Sequence, residues 1–105
     1  MTRVEVDPGV CRMNCTIEVT TVKKRQFSVQ VNTDCEMIIQ MGELLSEIDL
    51  ASILAPQILQ SKVYQFASEC GVHASCPIPM AIQKAIEVEA GLALARSVSV
   101  DIQRS

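Results

Sequence analysis

The chain has 105 residues, of which 49% are hydrophobic and only 3% aromatic, and its formal net charge at pH 7 is -3. A chain of this length forms one domain, so we treat residues 1–105 as a single unit with an aliphatic core. The apolar fraction excludes an intrinsically disordered chain. The acidic balance, with only the short basic run of residues 23–25, argues against nucleic acid as a partner.

The N-terminal residues indicate a cytoplasmic protein. Residues 1–7 alternate charged and apolar side chains and contain no signal-peptide core. No stretch approaches the roughly 18 uninterrupted apolar residues of a membrane-spanning helix, so we expect no membrane partner. In the cytoplasm cysteines stay reduced, and five cysteines are an odd number for a disulfide framework.

Alternation of apolar and polar residues predicts the strands. It covers residues 2–7, 15–22 and 27–32, with a hairpin turn at 23–26. The same alternation returns at residues 97–103, where Val98, Val100 and Ile102 are the apolar members, and predicts a last strand. Each strand has one apolar face, which is typical of a sheet covered on a single side.

Three longer segments have helical periodicity. Thr33 to Glu36 has the spacing of a capping box, and the helix that it opens carries an apolar stripe as far as Ile48. Asp49 to Ala55 predicts a short helical turn that Pro56 interrupts.

Ser61 is a suitable cap for a second helix, which ends at Cys70 before Gly71. Pro77 and Pro79 then open a third helix, whose wide apolar arc predicts that it is the most buried. Together these elements predict a two-layer α+β fold, with about four mostly antiparallel strands and three helices on one face.

Four cysteines form the candidate site. Cys35 lies in the first turn of a helix and Cys76 just before another, where the helix dipole favours a thiolate and a lowered pKa. Cys11 lies in a predicted loop, and Cys70 lies at a helix end, with five residues between it and Cys76. Thiolates at such places are what a zinc ion or an iron–sulfur cluster requires. The predicted ligand set is Cys11, Cys35, Cys70 and Cys76, with His73 as a substitute.

The alternative interpretation makes these cysteines small core residues, because a free cysteine is among the most buried residue types. Cys15 fits that interpretation, since it shares the inward face of its strand with Ile17 and Val19. His73 lies in a loop without an apolar pattern, where a histidine is more often solvated or a cap than a metal ligand.

Several blocks of the sequence resemble a known family. They are residues 4–11, which end at Cys11, then Asp34-Cys35, and then Cys76-Pro77 leading to residues 81–94. In these blocks the chain resembles small uncharacterised cysteine-containing microbial proteins, a domain of unknown function. The resemblance implies no known activity, and the motif includes Cys11, Cys35 and Cys76.

The sequence leaves three functions open. The first is a module that binds zinc or an iron–sulfur cluster through cysteine thiolates. The second is a thiol-dependent redox or transfer enzyme that uses Cys35 or Cys76, so whether the protein is an enzyme stays open. The third is a structural or interaction module whose cysteines belong to the core and whose high apolar fraction favours a homodimer.

Overall fold

The computed structural model describes residues 1–54 and 57–105. It confirms the predicted α+β fold, with a four-stranded sheet and a helical layer. The strands are β1 (Thr2–Val6), β2 (Cys15–Lys23), β3 (Gln26–Thr33) and β4 (Ile48–Asp49). The helices are α1 (Glu36–Leu44), α2 (Leu50–Ile53), α3 (Lys62–Glu69) and α4 (Ile78–Glu89), and Ile58–Gln60 form a 3₁₀ turn. The interruption predicted at Ala55 and Pro56 lies outside the described residues.

The sheet is antiparallel throughout, in the order β1-β2-β3-β4. The predicted hairpin is the β2–β3 pair, whose turn places Arg25 at a positive φ of 61°. Ile17 lies between Val4 and Val31 in the register and is fully buried. α4 packs against β1 and β2, and α1 packs against β3, so the helices cover the apolar side of the sheet.

The fourth strand is not where the alternation of residues 97–103 predicts it. It is β4, whose Ile48 pairs with Phe27. β4 has only two residues, too few to show any alternation.

The predicted last strand is absent, because residues 94–105 have no regular secondary structure. The chain leaves α4 through Gly91, which has a φ of 78°, and Val98, Val100 and Ile102 are then exposed. Alternation reports a preference for extended backbone, whereas a strand also needs a partner edge to pair with. This segment pairs with none of the described strands.

α1 begins later and ends earlier than the sequence pattern predicts. The residue before its first turn is Cys35, with extended dihedrals, and the Cys35 N–H donates to Thr33 Oγ1 over 3.2 Å. Thr33 therefore satisfies a backbone donor without being the cap itself. The helix ends at Leu44, so Ile48 belongs to β4 and not to the helical stripe.

Gly42 allows α1 to lie close to the sheet. A methyl group at Gly42 would overlap the side chain of Val31 on β3. Glycine normally costs a helix some stability, but here it permits the contact between α1 and β3.

α4 is the most buried helix, as predicted. Its buried residues are Ile78, Pro79, Ala81, Ile82, Ala85 and Ile86. Among the helices of the described residues, none has the length and apolar character to cross a membrane.

The buried hydroxyl of Ser61 caps α3, which confirms the predicted cap. It accepts a hydrogen bond from the Val63 N–H over 3.2 Å and donates to Gln83 Oε1 over 2.7 Å. Since Gln83 lies on α4, the same hydroxyl joins the start of α3 to α4.

Candidate functional site

Three strand ends meet at the end of the sheet where Cys15 lies. β1 ends at Val6, β2 begins at Cys15 and β3 ends at Thr33, and the register places Cys15 between the other two. The connection from β1 to β2 contains Cys11, and the connection from β3 to α1 contains Cys35. Both connections start at this end of the sheet, which places Cys11 and Cys35 at the same sheet end as Cys15.

Cys15 is 2% exposed and belongs to the core, as its place on the inward face predicts. Burial, and then the negative charges that Cys76 and Cys35 carry as thiolates, raise the pKa of its thiol to about 11. Such effects fall off with distance. Cys76 and Cys35 are thus the thiols whose charges act on Cys15.

Cys35 is half-buried against the core and caps the first turn of α1 with its backbone. Its C=O accepts a hydrogen bond from the Ile39 N–H over 2.9 Å, which starts the helix. Within the described chain its sulfur makes no capping hydrogen bond. The backbone thus fixes the position of Cys35 without engaging the thiol.

Cys76 is held by the loop that precedes α4. Its N–H donates to the His73 carbonyl over 3.0 Å, and its side chain packs on the core. Burial raises the pKa of the Cys76 thiol, the Ile78 backbone N–H opposes this, and the charges of Cys35 and Cys11 add to the increase. The expectation that the start of the helix lowers this pKa is therefore wrong, because burial and the neighbouring thiolates outweigh the backbone N–H.

Cys11 is exposed in a tight turn of the β1–β2 connection. Gly9 has a φ of 88° and Arg12 a φ of 58°, and the Arg12 N–H donates to the Gly9 carbonyl over 3.0 Å. The Gly9 N–H in turn donates to the Asp7 carboxylate over 3.0 Å. The turn connects Val6 to Cys15 and therefore lies at the sheet end where those two residues pair, and the charge of Cys11 adds to the raised pKa of Cys76.

These residues form one group, which we call the thiol cluster: Cys11, Cys15, Cys35 and Cys76. The cluster extends from the core to solvent. Cys15 is buried at its base, Cys35 and Cys76 are half-buried, and Cys11 is exposed. Three stretches of the chain supply the four thiols, since Cys11 and Cys15 are only four residues apart.

Cys70 has different neighbours. Burial, and then the charges of Glu69 and Glu43, raise the pKa of its thiol. Glu43 lies in the last turn of α1, whereas Cys35 precedes the first, so Cys70 is influenced by the opposite end of that helix. His73 is exposed, and it contributes its carbonyl oxygen to Cys76.

The predicted metal ligands are thus only partly brought together. Cys11, Cys35 and Cys76 belong to the thiol cluster, whereas the charges acting on Cys70 come from carboxylates. In residues 1–54 and 57–105, no three His, Cys, Asp or Glu side chains are grouped closely enough to hold one metal ion. The metal set that includes Cys70 and His73 stays a prediction.

Cys15 is the member of the cluster that the sequence pattern assigned to the core alone. The signal that could have placed it is the hairpin, since a turn at residues 23–26 brings Cys15 opposite Thr33. Cys35 is two residues beyond that position. A residue on the inward face at the end of a strand can contribute both to the core and to a site at the sheet end.

The fold and the thiol cluster define a small α+β domain with a concentration of cysteines at one end of its sheet. The chain belongs to a family of unknown function (DUF6951), whose sequence profile matches residues 2–102. Searches among curated proteins and among solved structures found no match.

Proposed function

We propose that this protein binds a metal centre through the thiolates of Cys11, Cys15, Cys35 and Cys76, either a zinc ion or an iron–sulfur cluster. The observation that supports the proposal is the position of Cys11, Cys15 and Cys35 at or next to strand ends, at the same end of the sheet, together with the effect of the charges of Cys35, Cys76 and Cys11 on the pKa values of neighbouring thiols. Sets of four sulfur ligands are typical of these two centres.

The positions of the thiols support a site that a metal can reach. Cys11 is exposed, on a turn of the β1–β2 connection, so it can close over a centre that already contacts the half-buried pair Cys35 and Cys76. Cys15 supplies a fixed ligand from the core. In a reducing compartment such as the cytoplasm, these thiols remain available for a metal.

Electrostatics supports the same assignment. Thiolates that lie near one another repel, and each one disfavours the charge on its neighbours. A bound cation cancels this repulsion and holds the sulfurs as thiolates. For a zinc ion, binding would draw the sulfurs to within about 4 Å of one another, because each Zn–S bond is near 2.3 Å.

The test is purification of the whole chain without oxygen, followed by measurement of zinc, iron and acid-labile sulfide and a visible spectrum. Iron and sulfide with a visible absorption band indicate a cluster, and stoichiometric zinc in colourless protein indicates the ion. Protein that holds neither centre, both as purified and after reconstitution with each, contradicts the proposal.

Single substitutions identify the ligands. Cys11→Ser, Cys35→Ser and Cys76→Ser should each lower the metal content strongly, and Cys70→Ser should leave it unchanged. Cys15→Ala is preferred to Cys15→Ser, because it places no hydroxyl in the core. If Cys70→Ser or His73→Ala empties the site while Cys15→Ala does not, the ligand set predicted from the sequence is the right one.

The same samples also test the thiol enzyme. A thiol enzyme that uses Cys76 as its reactive group has little support, because burial raises the pKa of that thiol. Metal-free protein in which Cys35 reacts much faster with an alkylating agent than a free thiol does would favour the enzyme and contradict the metal centre.

A further inference from the structure

β1 is an edge strand with one unpaired side. β2 pairs with one side of β1, and none of the described strands pairs with the opposite side. A groove of about 920 Å³ runs beside β1, between the strand, α4 and residues 95–102. Unpaired N–H and C=O groups along an edge are a template for another strand.

The C-terminal segment, which we define as residues 97–102, has the pattern of a strand without a partner. Val98, Val100 and Ile102 are 52%, 78% and 89% exposed. In the described chain the last backbone hydrogen bond before this segment is that of the Leu92 N–H to Glu87. The family profile continues to residue 102, so the segment is part of the matched domain.

One antiparallel register fits this segment to β1. It places Val100 opposite Val4 and Val98 opposite Val6, so the apolar side chains share the face that packs on α4. The same register places Asp101 opposite Arg3, an opposite-charge pair that stabilises neighbouring strands.

Other registers bring like charges together or place a charge on the apolar face. A shift of two residues in one direction puts Asp101 opposite Glu5, and a shift in the other direction puts Arg96 opposite Val6. Parallel registers that keep the valines aligned bring Asp101 beside Asp7 or Glu5. Like charges directly opposite each other are destabilising.

The favoured register is difficult to reach within one chain. The segment leaves α4 beside the start of β1, where Thr2 Oγ1 and Glu89 Oε1 are 2.7 Å apart. To pair antiparallel, it would first have to run the length of β1 and then reverse direction. No glycine or proline follows Gly91 to make such a turn.

We infer that two copies of this chain exchange their C-terminal segments, each segment pairing antiparallel with β1 of the other copy. The exchange pairs the free edge of β1, covers Val98, Val100 and Ile102, and satisfies the backbone groups of both strands. It does not depend on the proposed metal centre, which lies on other residues.

The test is sedimentation equilibrium of the full chain, under reducing conditions and with a chelator to exclude disulfide- or metal-linked dimers. We expect a dimer that Val100→Asp weakens by about tenfold or more, since it places a charge on the buried face. Leu59→Asp is the matched control, because Leu59 is also exposed but lies in the 3₁₀ turn. It should leave the association unchanged.

A charge exchange tests the register. Arg3→Asp and Asp101→Arg should each weaken the dimer, and the double variant should restore much of the loss. Nuclear Overhauser contacts between Val4 and Val100, in a sample that mixes labelled and unlabelled chains, should connect different copies. A wild-type chain that remains a monomer at high concentration overturns the inference, as does a dimer that Val100→Asp leaves intact or contacts confined to single chains.

Discussion

Gly42 on α1 lies directly against the side chain of Val31 on β3, with no room between them for a methyl group. We expect Gly42→Ala to lower the free energy of unfolding by about 1–2 kcal/mol, because overpacking costs more than the gain in helix propensity. Urea denaturation measures the change.

Val31→Ala supplies the control for this contact. In that background the overlap is removed, so adding Gly42→Ala should be neutral or stabilising, and the two substitutions should be strongly non-additive. Equal destabilisation of Gly42→Ala in both backgrounds would mean that Val31 is not the obstacle.

Glu89 connects the end of α4 to two strands. Its carboxylate accepts hydrogen bonds from the Thr2 hydroxyl and from both the N–H and the hydroxyl of Thr21. Burial raises the pKa of Glu89, but these hydrogen bonds and the charge of the N-terminal ammonium together outweigh it and hold the pKa below its ordinary value of 4.5. The carboxylate therefore stabilises the folded chain above pH 4.5, and this contribution is lost as the pH falls through the lower folded pKa.

We expect Glu89→Gln to reduce stability at neutral pH by about 1–2 kcal/mol. The free energy of unfolding of the variant should also fall less between pH 7 and pH 3, because position 89 no longer carries a carboxylate that can be protonated. Denaturation midpoints measured from pH 7 to pH 3 test this, with Glu5→Gln, an exposed carboxylate of β1, as control. Identical pH profiles of wild type and Glu89→Gln would contradict the assignment.

The metal-free thiols should react in the order of their exposure. Cys11 should be alkylated first, and Cys15 only when the core opens, because Cys15 is buried and its pKa is about 11. Mass spectrometry after timed alkylation of reduced, metal-free protein gives the order. Labelling of Cys15 as early as Cys11 would show that the start of β2 is not packed as described.

Cys11→Ser distinguishes the stability that a bound metal adds from the stability of the metal-free protein. Since Cys11 is exposed, we expect the substitution to change the stability of metal-free protein by no more than about 0.5 kcal/mol. Metal that binds only the folded state raises its stability, and the variant should lose most of this increase. Thermal unfolding with and without metal, for wild type, Cys11→Ser and Cys70→Ser, makes the comparison. A metal-dependent increase that survives Cys11→Ser would remove Cys11 from the site.

The longer elements of the fold could be predicted because their burial follows a simple period. The inward face of β2, with Ile17 and Val19, and the apolar arc of α4 are both visible in the sequence. β4 could not be found in this way, since two residues have no period. Residues 97–103 have the period of a strand but find no partner edge in the described chain.

The candidate site was predictable in part. The placement of Cys11, Cys35 and Cys76 at turns and helix starts follows from turn and cap signals. The separation of Cys70 from them, and the inclusion of Cys15, depend on strand register and on how α3 and α1 pack. These are tertiary relationships, which no local pattern of residues specifies.

The hydrogen bond between Thr2 and Glu89 joins residues that are 87 positions apart. Because α4 packs on β1 and β2, the core of this sheet is completed only by the last helix of the chain. Contacts of such long sequence separation raise the contact order, and a high contact order slows folding. We therefore expect the β2–β3 hairpin to form early and the docking of α4 on β1 to be the late step that completes the native state.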